Sequence, residues 1–287
     1  MKILISNQKL VEYSGSEFLT LELANEFMNR GYEITLATFK IGYPILNHLD
    51  LKKIKIINLS ALEEISNLEE EYDIFWCHHT PTLYTIIYNS KIKFKKLVFQ
   101  SLSSFMELET LPLFYRDISL ILSNSLETKK QLIMDSQDNE LNKKIMILEN
   151  SVPEEYFSKN QKSYNLEKIA IVSNHIPKEI YELSEILRNN NLKVDYIGRN
   201  NNVKFVNKSL LTQYSLIITI GKTVQYSFAS KVPVYCYDYF GGPGYITKEN
   251  IKKAQELNFS GRGFFQKNTD ELYIDILDNY NKNLKNI

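Results

Sequence analysis

Residues 1–39 read MKILISNQKLVEYSGSEFLTLELANEFMNRGYEITLATF, and this stretch decides the fold. A short apolar run at 2–6 leads into a polar loop, an amphipathic segment over 16–30 and a second apolar run at 33–39. Asn29-Arg30-Gly31 closes the amphipathic segment with the glycine that often ends a helix. Strand, helix and strand in this order form a βαβ unit, and such units build parallel sheets.

The same alternation continues outward. Further strands are expected at 54–58, 73–77, 96–100, 118–123 and 144–148, with helices at 61–71, 82–89 and 126–135. At Glu149-Asn150-Ser151-Val152-Pro153 the pattern stops and gives way to a polar, aromatic stretch up to Asn165, where it restarts. Strands follow at 168–173, 193–197, 216–220 and 232–237, with helices at 177–189, 224–230, 248–257 and 269 to about 284. The expected architecture is α/β: two Rossmann-like doubly wound domains, 1–150 and 151–287, facing across a cleft. The last helix is expected to close the chain, where it can pack back on the first domain.

Composition excludes several classes. The 287 residues carry 34 Lys+Arg against 34 Asp+Glu, so the net charge is 34 − 34 = 0 and the chain lacks a nucleic-acid binder's electrostatic footprint. At 44% hydrophobic and 24% charged it is globular rather than disordered or disulfide-built. Cys77 and Cys236 stand far apart at the ends of apolar runs, which suits a reducing compartment. No signal peptide or membrane span is legible, so a cytoplasmic location is expected. Arg occurs only five times.

In open α/β sheets ligands meet the carboxyl ends of the strands, so the residues just after each strand carry the functional information. Gly15 and Ser16 of Ser14-Gly15-Ser16-Glu17 open a helix whose free N–H groups suit an anion. Cys77-His78-His79-Thr80-Pro81 offers two histidines that point different ways and do not make a metal site. Ser101 lies in the polar loop Gln100-Ser101-Leu102-Ser103-Ser104. In the second half the strand ends are Ser173-Asn174-His175, Gly198-Arg199, Gly221-Lys222-Thr223 and Tyr237-Asp238-Tyr239-Phe240-Gly241-Gly242-Pro243-Gly244. Gly221-Lys222-Thr223 is not a Walker A loop, because Leu216 stands where that motif needs glycine. No dinucleotide fingerprint and no Gly-x-Ser-x-Gly elbow occurs. These strand ends suit a sugar nucleotide, with helix N-termini and Lys222 or Arg199 at the diphosphate and Gly241, Gly242 and Gly244 in a loop that touches ligand.

Four segments resemble the GT-B glycosyltransferases of the GT4-like bacterial group: Ser14-Gly15-Ser16-Glu17, Leu122-Ser123-Asn124-Ser125-Leu126-Glu127-Thr128, Leu148-Glu149-Asn150-Ser151-Val152, and Val232-Pro233-Val234. The block from Ile220 to Thr247 with Asn258-Phe259-Ser260-Gly261-Arg262 looks like a distinct subgroup. Where the family has its second glutamate this chain has Tyr226, beside Gln225, and the basic pair after the first strand of the second domain is replaced by Ser173-Asn174-His175. The resemblance implies transfer of a sugar from a nucleotide-diphosphate sugar to a glycan or lipid-linked acceptor, in surface polysaccharide synthesis, without cofactor or essential metal. Glu17, His78 and His79 are the candidates for a base if the reaction inverts. A nucleotide-sugar 2-epimerase and a non-catalytic nucleotide-sugar-binding subunit are the alternatives. Lys91-Ile92-Lys93-Phe94-Lys95-Lys96 reads as a lysine-rich loop with an exposed Phe, a motive for peripheral membrane contact.

Overall fold

The structure is a computed structural model that describes residues 1–103, 105–159 and 165–283; Ser104 and Leu284, and residues 160–164 of the polar stretch, lie outside these. The chain divides into two compact units, Met1–Glu149 and Asn150–Ile287.

The first unit holds strands β1 (Lys2–Ser6), β2 (Glu33–Thr38), β3 (Ile54–Asn58), β4 (Glu71–Cys77), β5 (Lys93–Ser101), β6 (Leu120–Ser123) and β7 (Ile145–Ile147). They form one sheet in the order β3-β2-β1-β4-β5-β6-β7, and every pairing is parallel. Helices α1 (Gly15–Asn29), α2 (Thr80–Asn89) and α3 (Leu126–Ser136) supply crossovers. Ile3, Leu4 and Ile5 of β1 are all fully buried, as the continuous apolar run of a strand covered on both faces requires. Ser125 caps α3 by accepting from the Thr128 N–H at 3.2 Å, and proline occupies the first turn of α2, where its missing N–H costs nothing.

Two expectations fail in this unit. The helix expected over 61–71 is confined to Leu62–Ile65, because Glu71 already opens β4 and pairs with Lys93. Lys93, Phe94 and Lys95 are not a solvated loop. They belong to β5, whose alternation turns Phe94 inward against Phe75, ring centroids 5.7 Å apart, and leaves Lys95 to pair with Asp73 at 2.6 Å. The lysine run thus marks the amino end of β5, away from the strand ends that carry the candidate residues.

The second unit holds β8 (Lys168–Val172), β9 (Lys193–Ile197), β10 (Leu216–Thr219), β11 (Val234–Asp238) and β12 (Gly241–Tyr245), in the order β9-β8-β10-β11-β12. The first four are parallel and β12 returns antiparallel to β11. Its helices of six residues or more are α4 (Lys178–Asn189), α5 (Lys222–Ala229), α6 (Ile251–Glu256) and α7 (Thr269–Asn283). Ile180, Leu183 and Leu187 of α4, at helical spacing, meet Leu272, Ile276 and Tyr280 of α7 in one core layer. Each buried aliphatic of this kind contributes about 1.5–3 kcal/mol. The buried face of α7 therefore belongs to the core of the second unit.

The Gly-rich stretch 241–244, expected as a ligand loop, is an edge strand. Glycine is required by close approach: a Cβ on Gly242 would lie 2.0 Å from the Cys236 carbonyl oxygen, and one on Gly241 2.4 Å from that of Phe265. Among the described residues no helix is long and apolar enough to cross a membrane.

Candidate functional site

Each sheet reverses its winding direction once. In the first unit the reversal lies between β1 and β4, in the second between β8 and β10. A crevice at such a reversal is the usual ligand position in an open α/β sheet. The sequence candidates lie at the carboxyl ends of the strands that flank these two places and of their neighbours: Ser101 ends β5, Gly198 and Arg199 follow β9, and Asp238 ends β11.

In the first unit the chain leaves β1 through Asn7 and Gln8. Asn7 donates to Thr20 Oγ1 at 2.7 Å and to the Ser16 carbonyl at 3.1 Å, tying the loop to the first turns of α1. Gly15 has open space around its Cβ position, so packing alone does not demand glycine there. Glu17 is fully buried. One carboxylate oxygen accepts from the Val11 N–H at 2.7 Å and from the Glu12 N–H, while Lys9 Nζ stands 3.8 Å from the other. Burial raises its pKa and the two N–H groups oppose the rise. These bonds make Glu17 a brace for the loop 9–12.

His78 and His79 follow β4. His78 is fully buried, and neither ring nitrogen makes a hydrogen bond of good geometry among the described residues. Desolvation, helped by neighbouring His79, pushes its pKa down to about 3, so the ring is neutral and a weak base. His79 accepts at Nδ1 from the Gln8 N–H at 2.9 Å, which places the proton of the neutral ring on Nε2, 3.7 Å from Glu109 Oε1. Glu109 accepts on Oε2 from the N–H groups of Leu102 and Ser103 (2.7 Å for Ser103) and from Ser101 Oγ at 3.4 Å. It thereby joins the ends of β4 and β5. Sequence reading missed Glu109, which lies in no motif and reaches the site only through tertiary folding.

In the second unit the ends of β8 and β9 are locked together. Asn174 Oδ1 accepts from the Arg199 N–H at 2.9 Å, Ser173 Oγ from the His175 N–H at 3.1 Å, and a Cβ on Gly198 would lie 2.0 Å from the Ser173 carbonyl oxygen. Past β10, Gly221 takes φ +61° and donates to the Phe259 carbonyl at 2.8 Å. Lys222 opens α5, nearly buried, with Nζ 3.2 Å from the Ser151 carbonyl and 5.6 Å from the Tyr226 ring centroid. Thr223 lies in the same first turn, its carbonyl accepting from Ser227 Oγ at 2.9 Å. Gln225 Oε1 is buried without a hydrogen-bond partner among the described residues.

Asp238 ends β11 and accepts on Oδ1 from the Tyr239 N–H at 2.8 Å. Burial is the main cause that lifts its pKa to about 6, and the Tyr239 N–H and the charge of His175 work against the rise. Five further expected contacts have structural partners: Tyr226 is buried in the core, Tyr237 is buried and shared between Glu179 at 3.2 Å and the Lys267 backbone, and Gly241, Gly242 and Gly244 lie within β12. Among the described residues no group of three or more His, Cys, Asp or Glu could hold a metal ion.

No protein-family model and no curated protein matches the chain. Among solved structures it is similar to a TarM mutant of S. aureus in complex with Fondaparinux, alpha-GlcNAc-glycerol and UDP, at 11% identity and TM-score 0.56 over 100% of this chain and 96% of that one. A second similar structure is the glycotransferase of kitacinnamycin, at 12% identity and TM-score 0.52 over 99% of this chain and 93% of that one. An alpha-glucosyltransferase in complex with UDP and a 13-mer DNA is matched at 17% identity and TM-score 0.47, with 69% of this chain spanning 56% of that one. At these identities the first two likenesses are of fold alone: a mixed α/β chain with parallel sheets.

Proposed function

We propose that the chain is a glycosyltransferase that moves a sugar from a nucleoside-diphosphate sugar to a hydroxyl of a glycan or lipid-linked acceptor. The observation that carries this reading is that Ser173, Asn174, His175, Gly198, Arg199, Gly221, Lys222 and Thr223 follow the carboxyl ends of three neighbouring strands, β8, β9 and β10, on the edge where the winding reverses between β8 and β10. The fold likeness to TarM, whose structure contains UDP, supports it. In this reading Lys222 and the first turn of α5 stabilise the departing diphosphate electrostatically. The first unit serves the acceptor. There Glu17 and His79 shape the site through backbone N–H groups, and neutral His78, its pKa pushed down by burial, is a weak base. The motif resemblance to GT4-like enzymes supports surface-polysaccharide synthesis at the cytoplasmic face as the setting. Phe94 faces inward, so it adds no apolar anchor, and attachment through the lysine run forms no part of the proposal.

A thermal-shift panel of UDP, GDP, dTDP, CDP and CMP tests the donor side, because a ligand that binds only the folded state raises its melting temperature. One nucleoside diphosphate should shift the midpoint more than the others. A flat panel at millimolar ligand contradicts the proposal.

A further inference from the structure

We infer that Arg262 is a second cation for the diphosphate group, presented by a strained loop that is anchored on the turn before Lys222; this rests on the reading of the second unit as a nucleoside-diphosphate site. The loop is 258–265. Asn258 and Phe259 stand consecutively in the left-handed region, at φ +52° and +51°, and Gly261 and Gly263 follow at +80° and +73°. A phenylalanine in that region is disfavoured by its own Cβ, and a turn serving only to connect α6 to α7 would use glycine there. Strain of this kind persists where the surrounding structure over-determines it, and it collects at functional sites.

The surroundings do over-determine it. The Phe259 carbonyl accepts from the Gly221 N–H at 2.8 Å and from Cys236 Sγ at 3.4 Å, so the strained residue is fastened to the ends of β10 and β11. Gly221 directly precedes Lys222. A Cβ on Gly261 would lie 2.3 Å from the Gly241 carbonyl oxygen, which fixes the backbone of its neighbour against the β11–β12 hairpin. The Arg262 N–H donates to Ser260 Oγ at 3.3 Å. Its guanidinium carbon lies 5.7 Å from the centroid of the Phe240 ring, and Phe240 is itself held edge-on by Tyr239 at 5.4 Å. Backbone and side chain are therefore both pre-oriented at the carboxyl edge of the sheet. A guanidinium offers a diphosphate two parallel N–H donors, which a single ammonium cannot. Ser173-Asn174-His175 supplies neither Lys nor Arg after β8, and Arg262 provides fixed positive charge from a different loop.

The test is isothermal titration of UDP, GDP, dTDP and CDP into the full chain, as wild type, Arg262→Gln, Arg262→Lys and Phe240→Leu. For whichever diphosphate binds the wild type, Arg262→Gln should weaken affinity by about 10-fold or more. Arg262→Lys should recover part of the loss, and Phe240→Leu should fall between. The effect should shrink for the matching monophosphate and vanish for the nucleoside. The unliganded melting midpoint separates a binding loss from unfolding, and Arg262→Lys carries the reading if Arg262→Gln does not fold. Wild-type affinity in both Arg262 variants overturns the inference while leaving the site reading intact. A wild type that binds none of the four diphosphates overturns that reading, and this inference with it.

Discussion

Tyr226 lies flat on Tyr156, ring centroids 4.3 Å apart and planes 15° from parallel. In the family that the sequence resembles, this position is a glutamate; here it is a core aromatic, and the stack takes the place of a carboxylate. Tyr226→Ala should therefore cost stability, about 3–5 kcal/mol, by leaving a cavity against Tyr156. Urea unfolding at neutral pH measures it. A variant that unfolds like wild type yet loses ligand affinity would return Tyr226 to the site.

Lys222 heads α5 with its ammonium held on the Ser151 carbonyl. Lys222→Ala should weaken nucleoside-diphosphate binding by about 1.5–3 kcal/mol, the usual loss of one charge-assisted contact. Wild-type affinity itself should survive EDTA. Unchanged affinity in the alanine variant removes Lys222 from the site, and affinity lost in EDTA and restored by magnesium or manganese introduces a metal.

Asp238 gives a pH dependence of definite sign. Its folded pKa, about 6, lies above the unfolded value of about 3.9, so between these the folded state holds a proton that the unfolded state has lost. The stability it contributes is fully present below about pH 4 and is lost as pH rises through 6, on the order of 2–3 kcal/mol. Asp238→Asn, which keeps the neutral form, should lack this fall. Urea midpoints at pH 4 and pH 7 for both proteins check it, and equal pH dependence in the two contradicts it.

Gly242→Ala places a methyl against the Cys236 carbonyl and the Tyr237 Cα, both backbone of β11, and should cost about 1–3 kcal/mol or more by prising the β11–β12 hairpin apart. Gly15→Ala meets nothing within 4 Å at the start of α1 and should leave stability unchanged or slightly raised. Equal melting temperatures for these two variants would falsify the edge-strand account.

The strand-and-helix alternation was legible because the first sheet and the first four strands of the second are parallel and buried, so that runs such as Ile3-Leu4-Ile5 carry their own signature. The strand-end rule then located most candidates without any motif. Local pattern failed where a distant partner decides the structure. Gly241 to Gly244 look like a turn, and only the approach of Cys236 and of the 258–265 loop makes them a strand. The acidic run before β4 reads as helix, but Glu69 is taken by Lys2 and Lys55, each at 3.1 Å, on the sheet. Lys93-Phe94-Lys95 did carry a strand's alternation, which its lysine content concealed. Glu109 has no local signal at all: its importance is a set of hydrogen bonds to residues 101–103 and a histidine thirty positions earlier.

Sugar transfer itself is tested most directly by incubating the full chain with sugar-labelled nucleotide sugars, without acceptor, and separating the products by mass spectrometry. The account predicts slow release of free sugar and nucleoside diphosphate from one donor, abolished by Lys222→Ala. A donor that returns with its nucleotide intact and its sugar epimerised, or no turnover of any donor that the chain binds, contradicts it.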